Sequence, residues 1–180
     1  MITHLEGKLV EKNPTDIVID CNGVGYFINI SLHTFSEIPD RENIKLYTYL
    51  QVREDYHSLY GFSTKTEREI FKLLISVSGI GANTARTMLS SLSPQQVKEG
   101  IAGEDVALIQ SVKGIGIKTA QRVIIDLKDK VLKVYGIDEL SLSTNNTHKN
   151  EIWGRENNFE QPILTGSWKE VKELDRKSVV

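Results

Sequence analysis

The sequence predicts an α+β chain in which a small β-barrel over residues 1–62 precedes an all-α domain over residues 63–135. Three observations carry this. Residues 2–62 hold five or six short apolar runs separated by turn residues, which is strand spacing. From residue 63 onward apolar residues recur at intervals of three and four, which is helix spacing. Two closely similar loops, Ser78-Gly79-Ile80-Gly81 and Lys113-Gly114-Ile115-Gly116, stand 35 residues apart within that helical part. A flexible linker over 136–150 and an atypical, disordered tail over 151–180 complete the expected organisation.

The strands come first. Ile2 to Val10 alternates loosely, and Gly7 marks a bulge or a tight bend. Asn13-Pro14-Thr15-Asp16 is a turn, and Ile17-Val18-Ile19 a short apolar strand. Asn22-Gly23 is a hairpin signal, after which Gly25 to Ile30 returns as the next strand. Ile38-Pro39-Asp40 breaks the pattern. Ile44, Leu46, Thr48 and Leu50 then alternate along one side of a strand, and Leu59-Tyr60-Gly61-Phe62 closes the set. Such a run of short strands fits an oligonucleotide/oligosaccharide-binding (OB) barrel. A small open sheet fits the same pattern.

Between the last two strands, Gln51 to His57 forms a hairpin tip carrying adjacent carboxylates, Glu54 and Asp55. Paired carboxylates raise the prospect of acid–base chemistry, but no His, Lys or metal partner stands nearby in sequence. A solvated turn is the plain alternative. The favoured reading is electrostatic: an acidic tip repels phosphates, so beside a phosphate-holding surface it keeps two strands apart.

The helical part opens at Ser63 or Thr64, either of which can cap. Ile70, Leu74 and Val77 follow on one face, with Phe71 beside them. A second helix over about 82–91 buries Ala82, Ala85 and Leu89. Ser93-Pro94-Gln95-Gln96 starts a third, with proline at its first position. Short helices over 94–101 and 104–111 flank Gly103. A last helix begins at Ile117, where Ile117, Ala120, Ile124, Leu127 and Val131 form an apolar stripe.

Each glycine loop joins two of these helices and opens the second. Glycine permits the tight turn and leaves the backbone amides uncovered. A helix N-terminus adds unpaired N–H groups and a partial positive charge. Together they make an anion site out of main chain. In both copies Thr-Ala sits at the same offset, and an arginine lies five or six residues past the last glycine. This is the pattern of a tandem helix-hairpin-helix, which grips sugar-phosphate without reading bases. Ordinary helix–helix turns are the alternative. The candidate DNA contacts are Gly79, Ile80, Gly81, Ala82, Asn83 and Arg86 from the first hairpin. The second offers Gly114, Ile115, Gly116, Lys118, Thr119 and Arg122.

Charge follows the same division. Residues 1–62 hold 5 Lys/Arg and 9 Asp/Glu, residues 63–135 hold 11 and 7, and residues 136–180 hold 6 and 8. The basic excess of +4 therefore coincides with the glycine loops, although the whole chain carries −2. No apolar run approaches a membrane span, and no signal-peptide layout opens the chain. Cys21 is the only cysteine and the four histidines are scattered, so no disulfide, metal or cofactor is expected and a reducing cytoplasm fits.

Gly114 to Thr119 lacks the spacing of a nucleotide-binding phosphate loop. An enzyme reading survives in a glycosylase or nuclease with Asp126 or Asp129 following the second hairpin. Against it, Asp126 falls between Ile124 and Leu127 on a helix that reads as structural. An assembly scaffold using only the barrel is a third reading.

Val24-Gly25-Tyr26, Val52 to Asp55, Leu59 to Phe62, both glycine loops and Lys118 to Arg122 together resemble the RuvA family over about residues 1–140. These are DNA-binding subunits of the bacterial Holliday-junction branch-migration complex. The resemblance implies a flat homotetramer, with an octamer left open, holding a four-way junction on its basic face. It implies that Glu54 and Asp55 form an acidic pin at the tetramer centre. It implies the RuvB hexameric ATPase as motor, the RuvC resolvase in the wider complex, and roles in recombination, DNA repair and the SOS response. Two departures stand out. Asn83 occupies a position where many members carry a basic residue. The final 30 residues also lack the small three-helix motor-contacting domain of the family, which reads as a truncated or frame-shifted C-terminus.

Overall fold

The computed structural model describes residues 1–39 and 42–152, with side chains as far as Gly136. Five strands, β1 (His4–Lys12), β2 (Asp16–Cys21), β3 (Val24–Ile30), β4 (Asn43–Val52) and β5 (His57–Phe62), close a barrel in the order β1-β2-β3-β5-β4. The closed barrel, not the open sheet, is the architecture. Neighbours are antiparallel except β3 and β5, which pair parallel through Asn29–Tyr60 and Ile30–Gly61. Alternation explains the lining: Ile17, Ile19, Ile28, Ile30, Ile44, Leu46 and Leu59 all point inward and are buried. Gly7 is required by close approach, because a Cβ there would stand 2.2 Å from the Asp20 carbonyl oxygen. The bulge itself lies farther along, where the β1–β2 register shifts between Leu9 and Glu11.

One element escaped the sequence reading. A short helix, α1 (Leu32–Glu37), fills the gap between β3 and β4. Ser31 caps it by accepting a hydrogen bond from the Thr34 amide at 3.0 Å.

The helical half follows as α2 (Lys65–Ile75), α3 (Ala82–Ser91), α4 (Pro94–Ala102), α5 (Val106–Gln110) and α6, which starts at Ile117. Thr64 is the residue that caps α2, and Ser93 with Gln96 forms a capping box on α4. The expected stripes are buried, with one exception: Ile117 is 53% exposed, whereas Ala120, Ile124, Leu127 and Val131 lie in the core. Ile117 sits at the first position of α6, on the loop side of its first turn, so the 3–4 spacing assigns it to a face that the core does not reach.

At Gly136, with φ 67 and ψ 161, the helical path of α6 breaks. The sequence predicts a linker from this point to residue 150. The backbone from 137 to Ile152 is helical. Ser, Thr and Asn weaken helix propensity by tenths of a kcal/mol each and do not forbid the conformation. Residues 141–152 belong to a second unit that begins at Ser141. The tail expected over 151–180 lies, from residue 153, outside the described residues.

Barrel and helices of the first unit, Met1–Leu140, are tied by a buried carboxylate. Glu67, in the first turn of α2, is fully buried. It accepts hydrogen bonds from the hydroxyls of Ser31 (2.7 Å), Thr34 (2.8 Å) and Ser63 (3.2 Å), and from the Ser63 amide (3.1 Å). Four donors to one carboxylate satisfy the lone pairs that burial would otherwise strand. Phe71, one turn along, packs against Tyr49, Tyr60 and Phe62 of the barrel at ring-centroid distances of 5.6, 5.2 and 4.9 Å. Replacing Glu67 by Ala strands several buried hydroxyls at once. The unfolding free energy from a urea titration should fall by about 3 kcal/mol, with the midpoint shifting accordingly.

Candidate nucleic-acid interface

The glycine loops are built alike, bond for bond. In the first, the Val77 amide donates to the Leu74 carbonyl at 3.1 Å, the Ile80 amide to Val77 at 3.0 Å, and the Ala85 amide to Gly81 at 2.9 Å. In the second, Val112 donates to Ile109 at 3.4 Å, Ile115 to Val112 at 3.1 Å and Ala120 to Gly116 at 2.9 Å. The preceding serines match too: the Ser76 hydroxyl donates to the Leu73 carbonyl at 2.7 Å and the Ser111 hydroxyl to Leu108 at 2.6 Å. Gly79 and Gly114 have φ of 91° and 90°. These are backbone angles that only glycine adopts at little cost. A Cβ added at Gly79, Gly81, Gly114 or Gly116 would meet nothing within 4 Å, so all four face open space.

The four other capped helix starts of the unit use a side chain. Ser31, Thr64, Ser93 and Asp105 each accept from an amide of the first turn. Gly81 caps α3 without a side-chain bond, and Gly116 stands in the same place before α6. Among the described residues, the amides of Gly81, Ala82 and Asn83, and of Gly116, Ile117 and Lys118, have no acceptor. Unpaired amides converging at a helix start attract an anion.

The candidate side chains separate into groups. Lys118 and Arg122 are exposed on α6, and Arg122 donates to the Ser78 carbonyl at 3.4 Å, so the second hairpin's arginine reaches the first hairpin's loop. Asn83 is exposed, with the Tyr60 hydroxyl at 3.5 Å from its side-chain oxygen. Thr119 is half-buried and Ala82 buried. Ile80 and Ile115 offer neither group: their side chains are in the core and their amides close the turns. Arg86 is half-buried and donates to the Thr15 carbonyl of the β1–β2 loop at 2.9 Å. There it lies near Asp16, whose carboxyl is held below its usual range by hydrogen bonds from Thr15 and Asn13, with Arg86 adding a smaller share. The first hairpin's cation therefore docks on the barrel.

Glu54 and Asp55 are exposed at the bend between β4 and β5. The Arg53 amide donates to the Tyr56 carbonyl at 2.9 Å and closes a four-residue tip, so the two acids sit in the turn and not on opposite strand faces. Among the described residues no group of His, Cys, Asp and Glu is arranged to hold a metal, and no helix is long and apolar enough to cross a membrane. Asp126 and Asp129 are exposed on α6.

Two family models match. One described as "RuvA N terminal domain" covers residues 1–61, and one described as "SAM-like Helix-hairpin-helix tandem" covers 71–129. A "Holliday junction branch migration complex subunit RuvA" from Christiangramia forsetii is 70% identical over 151 residues, covering 84% of this chain and 78% of the relative. The chain belongs to the RuvA family. A Flavobacterium psychrophilum member of the same name is 64% identical over the same shares, and one from Bacteroides thetaiotaomicron 60% identical over 131 residues, 73% of this chain and 65% of that protein. The two matched segments coincide with the barrel and with the pair of hairpins.

The glycines divide by role, which stability measurements can separate. Gly79→Ala forces a Cβ onto a φ of 91° and should cost about 1–2 kcal/mol in thermal or urea unfolding. Gly81→Ala, at φ −87° and facing open space, should stay within about 0.5 kcal/mol of the unaltered chain.

Proposed function

We propose that this chain is a structure-selective DNA-binding subunit that holds four-way junctions for branch migration in recombination and repair, and that it is not itself the catalyst. The supporting observation is the pair of matched helix starts, each with free amides under exposed glycines, flanked by Lys118 and Arg122. Backbone amides and lysines contact phosphate oxygens equally well on any sequence, so such a surface selects by shape. The names of the relatives, each a Holliday junction branch migration complex subunit, fit this reading.

On this reading the contacts are made by the amides of Gly79, Gly81, Ala82 and Asn83 in the first hairpin. In the second they come from Gly114, Gly116, Lys118, Thr119 and Arg122. Several copies act together, as a homotetramer, so that eight hairpins surround one crossover. Glu54 and Asp55 act as the pin: carboxylates at the tip repel the phosphates of two strands and keep them apart. The motor is the RuvB ATPase, and RuvC joins the wider complex. The domains of the working protein are the barrel with its acidic hairpin over 1–62 and the tandem hairpins over 63–135.

A gel-shift series with four-way, forked and linear DNA of equal length tests this alongside a native mass measurement. The four-way junction should bind tightest, and log affinity should fall linearly with log salt. Lys118→Ala and Arg122→Ala should each weaken all DNA forms and reduce the salt slope by about one. Gly116→Val, which covers the second set of amides, should weaken binding while leaving the melting temperature nearly unchanged. Equal affinity for four-way and linear DNA would remove the junction claim.

A further inference from the structure

The tip of the β4–β5 hairpin carries more than its two acids. Tyr56 closes the four-residue turn and is 44% exposed, and Val52, where the hairpin enters the tip, is 61% exposed. The Arg53 guanidinium carbon lies 5.6 Å from the Tyr56 ring centroid, a cation–π contact that braces the ring. Below the tip the ladder is continuous, with Val52 opposite His57, Gln51 opposite Ser58 and Leu50 opposite Leu59. An aromatic plane is thus held on a rigid support at the extremity of the barrel.

We propose that Tyr56 is a stacking platform for an unpaired nucleobase at the strand-exchange point of a branched DNA, with Arg53 holding the ring in place. This rests on the junction-binding reading above. The chemistry of the tip selects the ligand. Glu54 and Asp55 precede the ring in the same exposed turn and outnumber the one cation there, Arg53, which is engaged on the ring itself, so the tip favours a flat uncharged face over a phosphate. A nucleobase face is flat and uncharged, and aromatic side chains stack on such faces with little regard to sequence. Bases lose their partners where strands exchange, which is where an acidic tip would part them. The two acids and the tyrosine then divide the work: the carboxylates move the backbones aside, and the ring takes up the base that this leaves unstacked. The bracing by Arg53 lowers the ordering cost of the contact, because the ring is already oriented.

The test uses the full chain and a four-way junction with a single 5-iodouracil at the crossover. Long-wavelength ultraviolet should crosslink that base to Tyr56, mapped by peptide mass spectrometry. The same base placed well down an arm should give no crosslink to Tyr56. Tyr56→Ala should weaken junction binding about tenfold and leave linear duplex binding unchanged. Tyr56→Phe and Tyr56→Trp should retain junction affinity. A wild-type chain that prefers the junction but crosslinks elsewhere, with Tyr56→Ala binding as tightly, overturns the stacking role alone. A lower native mass for Tyr56→Ala than for wild type would assign the ring to packing against a neighbouring copy, and also overturns it. A wild-type chain with no preference for the junction overturns the reading beneath and this inference with it.

Discussion

Both glycine turns hang on a buried isoleucine. Ile80 and Ile115 are about 5% exposed, and each amide closes its own turn onto a buried valine, Val77 or Val112. Once the isoleucine is inserted, the glycines on either side have nowhere to go but outward. That explains why a three-residue pattern, glycine–isoleucine–glycine, recurs intact. The apolar residue fixes depth, the first glycine supplies the positive φ, and the second keeps the helix start bare. The equivalence extends along the following helices, where Ala85 and Ala120 are both fully buried and let the helix lie close to the core. The amides are presented by packing, so on the proposed reading a phosphate meets a loop that is already ordered.

Two hairpins with one backbone geometry need not do equal work. The first commits Arg86 to the Thr15 carbonyl and carries Asn83 at the position where the second has Lys118. On the proposed reading its contribution to anion binding is almost wholly main chain. It also has a mechanical part, since α3 is fastened to the barrel through Arg86 and to the start of α1 through Ser90, which accepts from the Leu32 amide at 3.1 Å. The second hairpin keeps Lys113, Lys118 and Arg122 exposed. The exposed positive charge is concentrated there, and Arg122 leans across to the Ser78 carbonyl of the first loop. On the same reading, removing the cations of the second hairpin strips most of the electrostatic attraction, while altering the first disturbs the platform that both share.

Much of this was legible in the sequence because it is local. Strand alternation, the Asn22-Gly23 turn, the Thr64 and Ser93 caps and the repeated glycine loops are written within a few residues of where they act. What was missed is tertiary. Helix α1 has only six residues, too few for a helical period to show. Glu67 lies in the first turn of α2, where an acid is ordinary, and only its encounter with Ser31 and Thr34, more than 30 residues away, makes it a buried tie. The bond from Arg86 to the Thr15 carbonyl likewise depends on the barrel loop that faces it, which no local spacing shows. Ile117 satisfies the spacing of a buried stripe yet belongs to the turn that meets solvent. Periodicity assigns a face to every helical residue, but the first turn of a helix often extends past the surface it packs on.

The tie at Glu67 bears on function as well as stability. At physiological salt a charge is screened beyond about 8 Å, so an acidic tip governs only phosphates that pass close to it. On the proposed reading the same molecule attracts backbone at the hairpins and repels it at Glu54 and Asp55. These opposite actions produce strand separation only if their spacing is fixed; a tip free to swing would turn its carboxylates away from the phosphates it should part. The barrel's β4–β5 ladder fixes the tip to the barrel, and Glu67 with the Phe71 ring cluster fixes the barrel to the helices that carry the glycine loops. A buried carboxylate is a costly fastener compared with more apolar contact. It has the merit of direction, because four hydrogen bonds of defined geometry specify one arrangement where apolar packing alone tolerates several.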